Sequence, residues 1–179
     1  MSPSLLWQPL VGGLLVALGA QITVPMAPVP MTLQTLAVLA CGLVLGPRRG
    51  AAAVALYVLA VGLGLPVLAD GSTAPGWALF TEPTAGYVLA FVPAAALAGW
   101  IGRPREAVRD HLLGAVAGGL AGHALVLVLG MIGLLRWLEP AEAWSSGAAP
   151  FLAGAMVKSV LAAGVAVAVR GGSERVDES

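Results

Sequence analysis

The chain has 179 residues, 59% of them hydrophobic and 10% charged, with nine basic and nine acidic side chains and a mean hydropathy of +0.92. An ordinary soluble domain carries roughly 25% charged residues, so the composition excludes a water-soluble globular protein and, having no basic excess, a nucleic-acid binder. The single cysteine, Cys41, excludes an intramolecular disulfide, no Cys/His cluster has metal-ligand spacing, and residues 1–4 lack the basic start of a cleaved signal.

A bilayer core about 30 Å thick needs about 20 apolar residues in helix. Stretches near that length occur at 5–21, 31–46, 51–68, 84–101, 111–135 and 150–169. Strand-type alternation is absent, which argues against a transmembrane barrel. The fold class predicted is an all-α integral membrane protein with six transmembrane helices, forming a single membrane domain over 1–179. On the first stretch Gly13, Ala17 and Ala20 share a face at intervals of four and three. Such a face lets helices approach closely, either within the chain or against another membrane protein.

The connection that follows reads Ile22-Thr23-Val24-Pro25-Met26-Ala27-Pro28-Val29-Pro30-Met31-Thr32. Its prolines remove donors and favour extended chain. Apolar residues between them suit a stiff lid over a pocket, because irregular backbone at membrane depth is tolerated when it lines a cavity. A tight hydrophobic connector is the plainer reading. Gln34, one turn into the second stretch, offers a donor and an acceptor below this lid, for a ligand or for a helix bridge.

The connection from Gly64-Leu65-Pro66 to Pro83-Thr84 is longer, and long loops in compact domains are frequently functional. Asp70 and Glu82 in it either meet ligand N–H groups or are solvated loop acids. Trp77 either anchors at the interface or covers a site, whereas Trp7 and Trp100, at stretch ends, read as interface anchors. Pro83-Thr84-Ala85-Gly86-Tyr87 opens the fourth stretch and places Tyr87 about one turn inside.

On the fifth stretch His123, between Gly122 and Ala124, reads as a packed, hydrogen-bonded histidine rather than a proton carrier. Lys158 is the sharpest single residue. It lies about 12 Å along the sixth stretch from Pro150, at 1.5 Å per residue. A central lysine costs roughly 2.5–3.5 kcal/mol on insertion scales. Such a residue faces a cavity, or else snorkels its stem to the surface.

Basic residues set the orientation. Arg48 and Arg49, then Arg103, Arg105 and Arg109, then Arg170 and Arg175 fall on one side of a six-helix arrangement, and Arg136 on the other. Positive charge marks the inside, so both termini are predicted to be cytoplasmic in a multi-pass protein of the cell (plasma) membrane.

The run Val29-Pro30-Met31-Thr32-Leu33-Gln34-Thr35-Leu36-Ala37-Val38 and the run Leu45-Gly46-Pro47-Arg48-Arg49-Gly50-Ala51 resemble the BioY family, the biotin-binding S components of energy-coupling factor (ECF) transporters. Leu63-Gly64-Leu65-Pro66-Val67, Pro83-Thr84-Ala85-Gly86-Tyr87, Gly122-His123-Ala124 and Pro150-Phe151 with Lys158 follow in the matching order. The resemblance implies the ECF S-component fold, with a pocket near the outer face closed by the first and third loops. It implies biotin as ligand, and as partners a transmembrane coupling subunit and two cytoplasmic ATP-binding subunits. In the family pattern the small face of the first helix, here Gly13, Ala17 and Ala20, docks on the coupling subunit.

One position departs from the family. Where its pattern is Pro-Gly-Asp-x-x-Lys, this chain reads Ala153-Gly154-Ala155-Met156-Val157-Lys158. Ala155 thus stands where the resemblance implies an aspartate beside the ureido N–H groups of biotin. Asp70 or Glu82 is the candidate substitute; otherwise the site is impaired.

The expected action is uptake. Biotin enters while the loops at 22–32 and 69–83 are open, packs its rings on apolar and aromatic side chains near Tyr87 and Gln34, and gives its carboxylate to Lys158. An S component or membrane receptor for a different vitamin-like ligand is the alternative. The chain has no GxxxxGK[ST] phosphate loop, and its spans hold no Ser–His pair, HExxH or two-acid constellation, so neither ATP hydrolysis nor another enzyme activity, and no cofactor or metal, is expected.

Overall fold

The computed structural model describes residues 4–71 and 78–177. Helices α1 (Ser4–Gln21), α2 (Gln34–Gly62), α3 (Ala85–Ile101), α4 (Val108–Leu134), α5 (Pro140–Gly147) and α6 (Leu152–Asp177) make up most of it. The apolar runs at 5–21, 84–101 and 111–135 therefore coincide with α1, α3 and α4 to within a few residues. Between α1 and α2 lie two short strands, β1 (Thr23–Val24) and β2 (Met31–Thr32), paired antiparallel with Thr23 opposite Thr32 and Val24 opposite Met31. The fold is mostly helical, as expected, and this short ribbon is the one departure among the described residues, where the prolines from Pro25 to Pro30 keep the chain extended.

The runs at 31–46 and 51–68 form one element, α2, broken in the middle. Gly46 has φ 81 and ψ 173, a region open essentially to glycine, and Pro47 then starts the second limb. The break is a reversal. Gln34 and Tyr57 would stand about 34 Å apart on a straight helix, yet the Gln34 amide donates to the Tyr57 hydroxyl. The second limb stops at Gly62 rather than 68. Gly64, at φ 77, takes the left-handed position, and its N–H and that of Leu65 close on Val61 O and Ala60 O at 2.9 and 3.1 Å. Placing alanine at Gly46 is expected to lower stability by about 1–3 kcal/mol. The control is Gly62→Ala, where an added Cβ meets nothing within 4 Å. Thermal melting in detergent should show a lower midpoint for Gly46→Ala alone, and equal midpoints would contradict the reversal.

Small residues fill the interior and large apolar ones face outward, the reverse of a water-soluble bundle. Ala94, Ala95, Ala98, Ala115, Ala162 and Ala163 have no exposed surface, while Leu14, Leu59, Leu113, Ile132, Met156 and Val160 are all more than half exposed. This arrangement suits lipid, in which association depends on close packing. By length and composition, Val108–Leu134 and Pro140–Gly172 are long and apolar enough to cross a membrane, Gln34–Gly62 reaches that length only over its two limbs together, and Ala85–Ile101 is a shorter apolar helix. The small face of α1 is used inside the chain. A Cβ on Gly13 would lie 2.9 Å from Ala53 O on α2, and Ala20 is fully buried. Thus Gly13 and Ala20 pack within the chain, with Ala17 half-buried beside them, and the outward face of α1 carries Leu10, Leu14 and Leu18.

Arg49, Arg105 and Arg170 lie at one end and Arg136, beyond the far end of α4, at the other. Arg170 on α6 donates to Arg105 O between α3 and α4 at 2.9 Å, and Arg49 at the α2 reversal donates to Gln8 on α1 at 3.3 Å. The opposite ends of α2, α3 and α6 frame a cavity.

Candidate binding site

A cavity of about 430 Å³ opens between the start of α2, the start of α3, the second half of α4 and the start of α6. That volume lies within the usual small-molecule range of about 300–1,000 Å³. Its walls are apolar, with Val88 and Phe91 from α3, Val126 and Leu127 from α4, and Phe151 ahead of α6. Both long connections reach it, the first through Val29, Pro30 and Thr32, the second through Leu68, Ala69 and Glu82. The proline-rich connection thus lines a cavity, with Val29 buried.

Lys158 lines this cavity from α6. Its ammonium donates to Thr32 O at 2.7 Å and to Thr35 Oγ1 at 3.3 Å. A lysine has three N–H donors, so one remains beyond these two. Among the described residues no carboxylate pairs with it. The bond to Thr32 also ties α6 to β2 and so to the proline-rich connection. Snorkelling is not what this geometry shows: the stem carries the charge inward to the ribbon and to α2.

Gln34 is buried on the same wall and bridges the two limbs of α2, the helix bridge read from the sequence. Tyr57, its partner, passes its own hydrogen to Val67 O at 3.3 Å. Tyr87 offers the cavity mainly its ring, because its hydroxyl donates to Gly147 O on α5 at 2.7 Å. The ring of Phe151 stands 6.4 Å from that of Tyr87, tilted by 38°, so an aromatic pair closes this side. Ala155 lines the cavity one turn before Lys158 and leaves a methyl-sized surface there. Glu82 is solvent-exposed at the cavity margin. The Asp70 backbone lies in the turn Ala69–Gly71; its side chain, like Trp77 as a whole, lies outside the described residues.

His123 is packed and hydrogen-bonded, as its small neighbours indicated, and it lines the cavity as well. Its Nδ1 sits 2.8 Å from Ser159 Oγ, and that hydroxyl donates to Ala155 O at 2.8 Å. This corrects the expectation that the spans hold no Ser–His pair: the two residues are 36 apart in sequence and meet only because α4 and α6 pack closely. The close approach is permitted by Gly119, one turn before His123, where an added Cβ would come within 3.0 Å of Ser159 Cβ.

Sequence reasoning missed Thr35, Ser159 and the apolar walls. Thr35 and Ser159 adjoin Gln34 and Lys158, so proximity to the two polar residues already singled out was an available signal. Phe91 and Val126 had none, because an apolar residue in an apolar helix does not announce which face it takes.

The BioY family model matches residues 5–175. A biotin transporter BioY of Rhodobacter capsulatus is 38% identical over 165 residues, covering 85% of this chain and 85% of that protein. A probable biotin transporter BioY of Pyrococcus horikoshii is 34% identical over 157 residues, covering 88% of this chain and 90% of that one. In structure the chain is similar to the S-component for biotin from an ECF-type ABC transporter, with a TM-score of 0.81 at 23% identity over 96% of this chain and 95% of the other.

Proposed function

This chain belongs to the BioY family and is a multi-pass membrane protein, and we propose that it captures biotin for uptake as the S component of an ECF transporter. The observation that carries this reading is the apolar cavity of about 430 Å³ with one lysine ammonium on its wall. Biotin is an apolar bicycle carrying a cyclic urea at one end and a carboxylate on a flexible chain. Phe91, Val126 and Phe151 suit the bicycle, Gln34 suits a polar group of the ring, and Lys158 suits the carboxylate. A charge-assisted hydrogen bond contributes about 1.5–3 kcal/mol, which in a closed apolar site selects for an anionic ligand. The two connections act as the lid, and the Lys158–Thr32 bond links ligand capture to its closure. Glu82 stands at the margin of that cover.

Six crossings with both termini in the cytoplasm fit this reading, each limb of α2 being one crossing. The cluster of arginines then faces inward, and the cavity faces outward. In a Cys41→Ala background, Arg48→Cys should resist a membrane-impermeant thiol reagent in intact cells, whereas Glu139→Cys should react. The reverse pattern would invert the orientation. A transmembrane coupling subunit and two ATP-binding subunits supply the energy for release inward, since this chain has no phosphate loop.

The test is uptake of labelled biotin by cells expressing the chain together with a coupling subunit and ATPases. Saturable uptake, displaced by unlabelled biotin and not by thiamine or riboflavin, is the expected result. Uptake no greater than in cells lacking the chain would count against the proposal.

A further inference from the structure

Resting on the biotin reading, we infer that His123 is a specificity-determining ligand residue whose Nε2 accepts a hydrogen bond from a ureido N–H of the bound substrate. We take the tautomer in which the Ser159 hydroxyl donates to Ala155 O rather than to Nδ1, both 2.8 Å away. A serine hydroxyl has one hydrogen, and Ser159 gives its hydrogen to Ala155 O. Ser159 Oγ therefore faces His123 Nδ1 as an acceptor, and Nδ1 carries the imidazole hydrogen. Nε2 is left with a lone pair. It is buried, in a side chain only 5% exposed, and has no partner among the described residues.

A buried polar atom without a partner is uncommon and calls for an explanation. His123 is among the residues that line the cavity, and since Nε2 itself has under 1 Å² of accessible surface, the ligand N–H reaches it as the wall adjusts on binding. The ring is held by Ser159, one turn beyond Ala155 on α6, and Ala155 presents no polar side-chain atom to that wall. Of the other polar groups there, Lys158 only donates, while Gln34 gives an amide N–H to Tyr57 and keeps its Oε1 as a second acceptor for the other ureido N–H. A cyclic urea brings N–H donors that need an acceptor, and His123 Nε2 is an acceptor held in a fixed direction by its partner on α6. The tautomer makes the site selective, because an approaching acceptor would meet a lone pair.

The test is a binding comparison in detergent using biotin and its two N-methylated derivatives, one at each ureido nitrogen. His123→Phe keeps a planar ring and removes the acceptor. Loss of a partner for a buried N–H predicts binding about tenfold weaker, or more, for biotin. The derivative methylated at the bonded nitrogen should bind parent and variant alike. Ala155→Asp, which adds an acceptor to the same wall, should recover biotin binding in the His123→Phe background. Unchanged biotin affinity in His123→Phe, or an equal penalty for biotin and both derivatives, would make the ring a packing element and overturn the assignment. Failure of the parent chain to bind biotin would instead overturn the function proposed above, and this assignment with it. If His123→Phe does not fold, nitrogen NMR of the parent decides: Nε2 should shift upfield when biotin is added, and an unmoved resonance overturns the inference.

Discussion

Replacing Lys158 with alanine is expected to weaken biotin binding by about ten- to a hundredfold, the equivalent of one charge-assisted hydrogen bond of about 1.5–3 kcal/mol. The ammonium does two things in this structure: it stands on the cavity wall, and it holds Thr32 O on the ribbon at 2.7 Å. The two contributions separate with a ligand that has no charge. Parent protein should prefer biotin to biotinamide, and Lys158→Ala should lose most of that preference while binding both more loosely. Equilibrium binding of the two ligands to parent and variant checks this. Unchanged affinity for biotin would remove the carboxylate role. An equal loss for both ligands would leave Lys158 as a tether of the lid only.

Placing leucine at Gly119 is expected to have a comparable effect without touching a polar group. An added Cβ there comes within 3.0 Å of Ser159 Cβ and 3.2 Å of its Cα, so a leucine must drive α6 away from α4. Overpacking of this kind costs about 1–3 kcal/mol in stability. The displacement also moves Ala155, Lys158 and Ser159 together, because they share two turns of α6. Biotin affinity should fall by about tenfold or more, taking one such hydrogen bond as lost, and the melting midpoint should drop. Gly164, where an added Cβ meets nothing within 4 Å, is the matched control on α6, and Gly164→Leu should leave both quantities near the parent values. If Gly119→Leu binds and melts like the parent, α4 and α6 are not in the close register described.

The helices were legible because lipid leaves a simple mark: runs of apolar residues of bilayer length, interrupted by arginines. That mark reports on membrane crossing and not on helix as such, which explains the differences. The helix α6 continues to Asp177, past Arg170 and into polar sequence, because a helix does not have to end where the apolar run ends. Residues 63–68 are apolar but not helical, since Gly64 at φ 77 turns the chain out of the helix and Pro66 follows. The helix α5 is short and only partly apolar, so it left no run, although Pro140 sits in its first turn, where proline fits. The ribbon β1–β2 has two residues per strand, too few for alternation to be read.

The site was legible where a residue was out of place in its surroundings. Lys158 and Gln34 stood out because polar groups are costly in apolar helices, and both are on the cavity wall. Tyr87 was found by its position in the first turn of α3, but the sequence gives no sign that its hydroxyl goes to Gly147 on α5, 60 residues away. The same limit hid the arrangement of His123, Ser159 and Ala155. Each residue was visible, but the pairing depends on the close approach of α4 and α6, which one sequence does not display.

The central claim is that this cavity holds biotin, and equilibrium binding of labelled biotin to the purified chain tests it most directly. Saturable binding at one site per chain is expected, displaced by unlabelled biotin and unaffected by an excess of thiamine or riboflavin. No saturable binding, or displacement by thiamine or riboflavin as effective as by biotin, would contradict it.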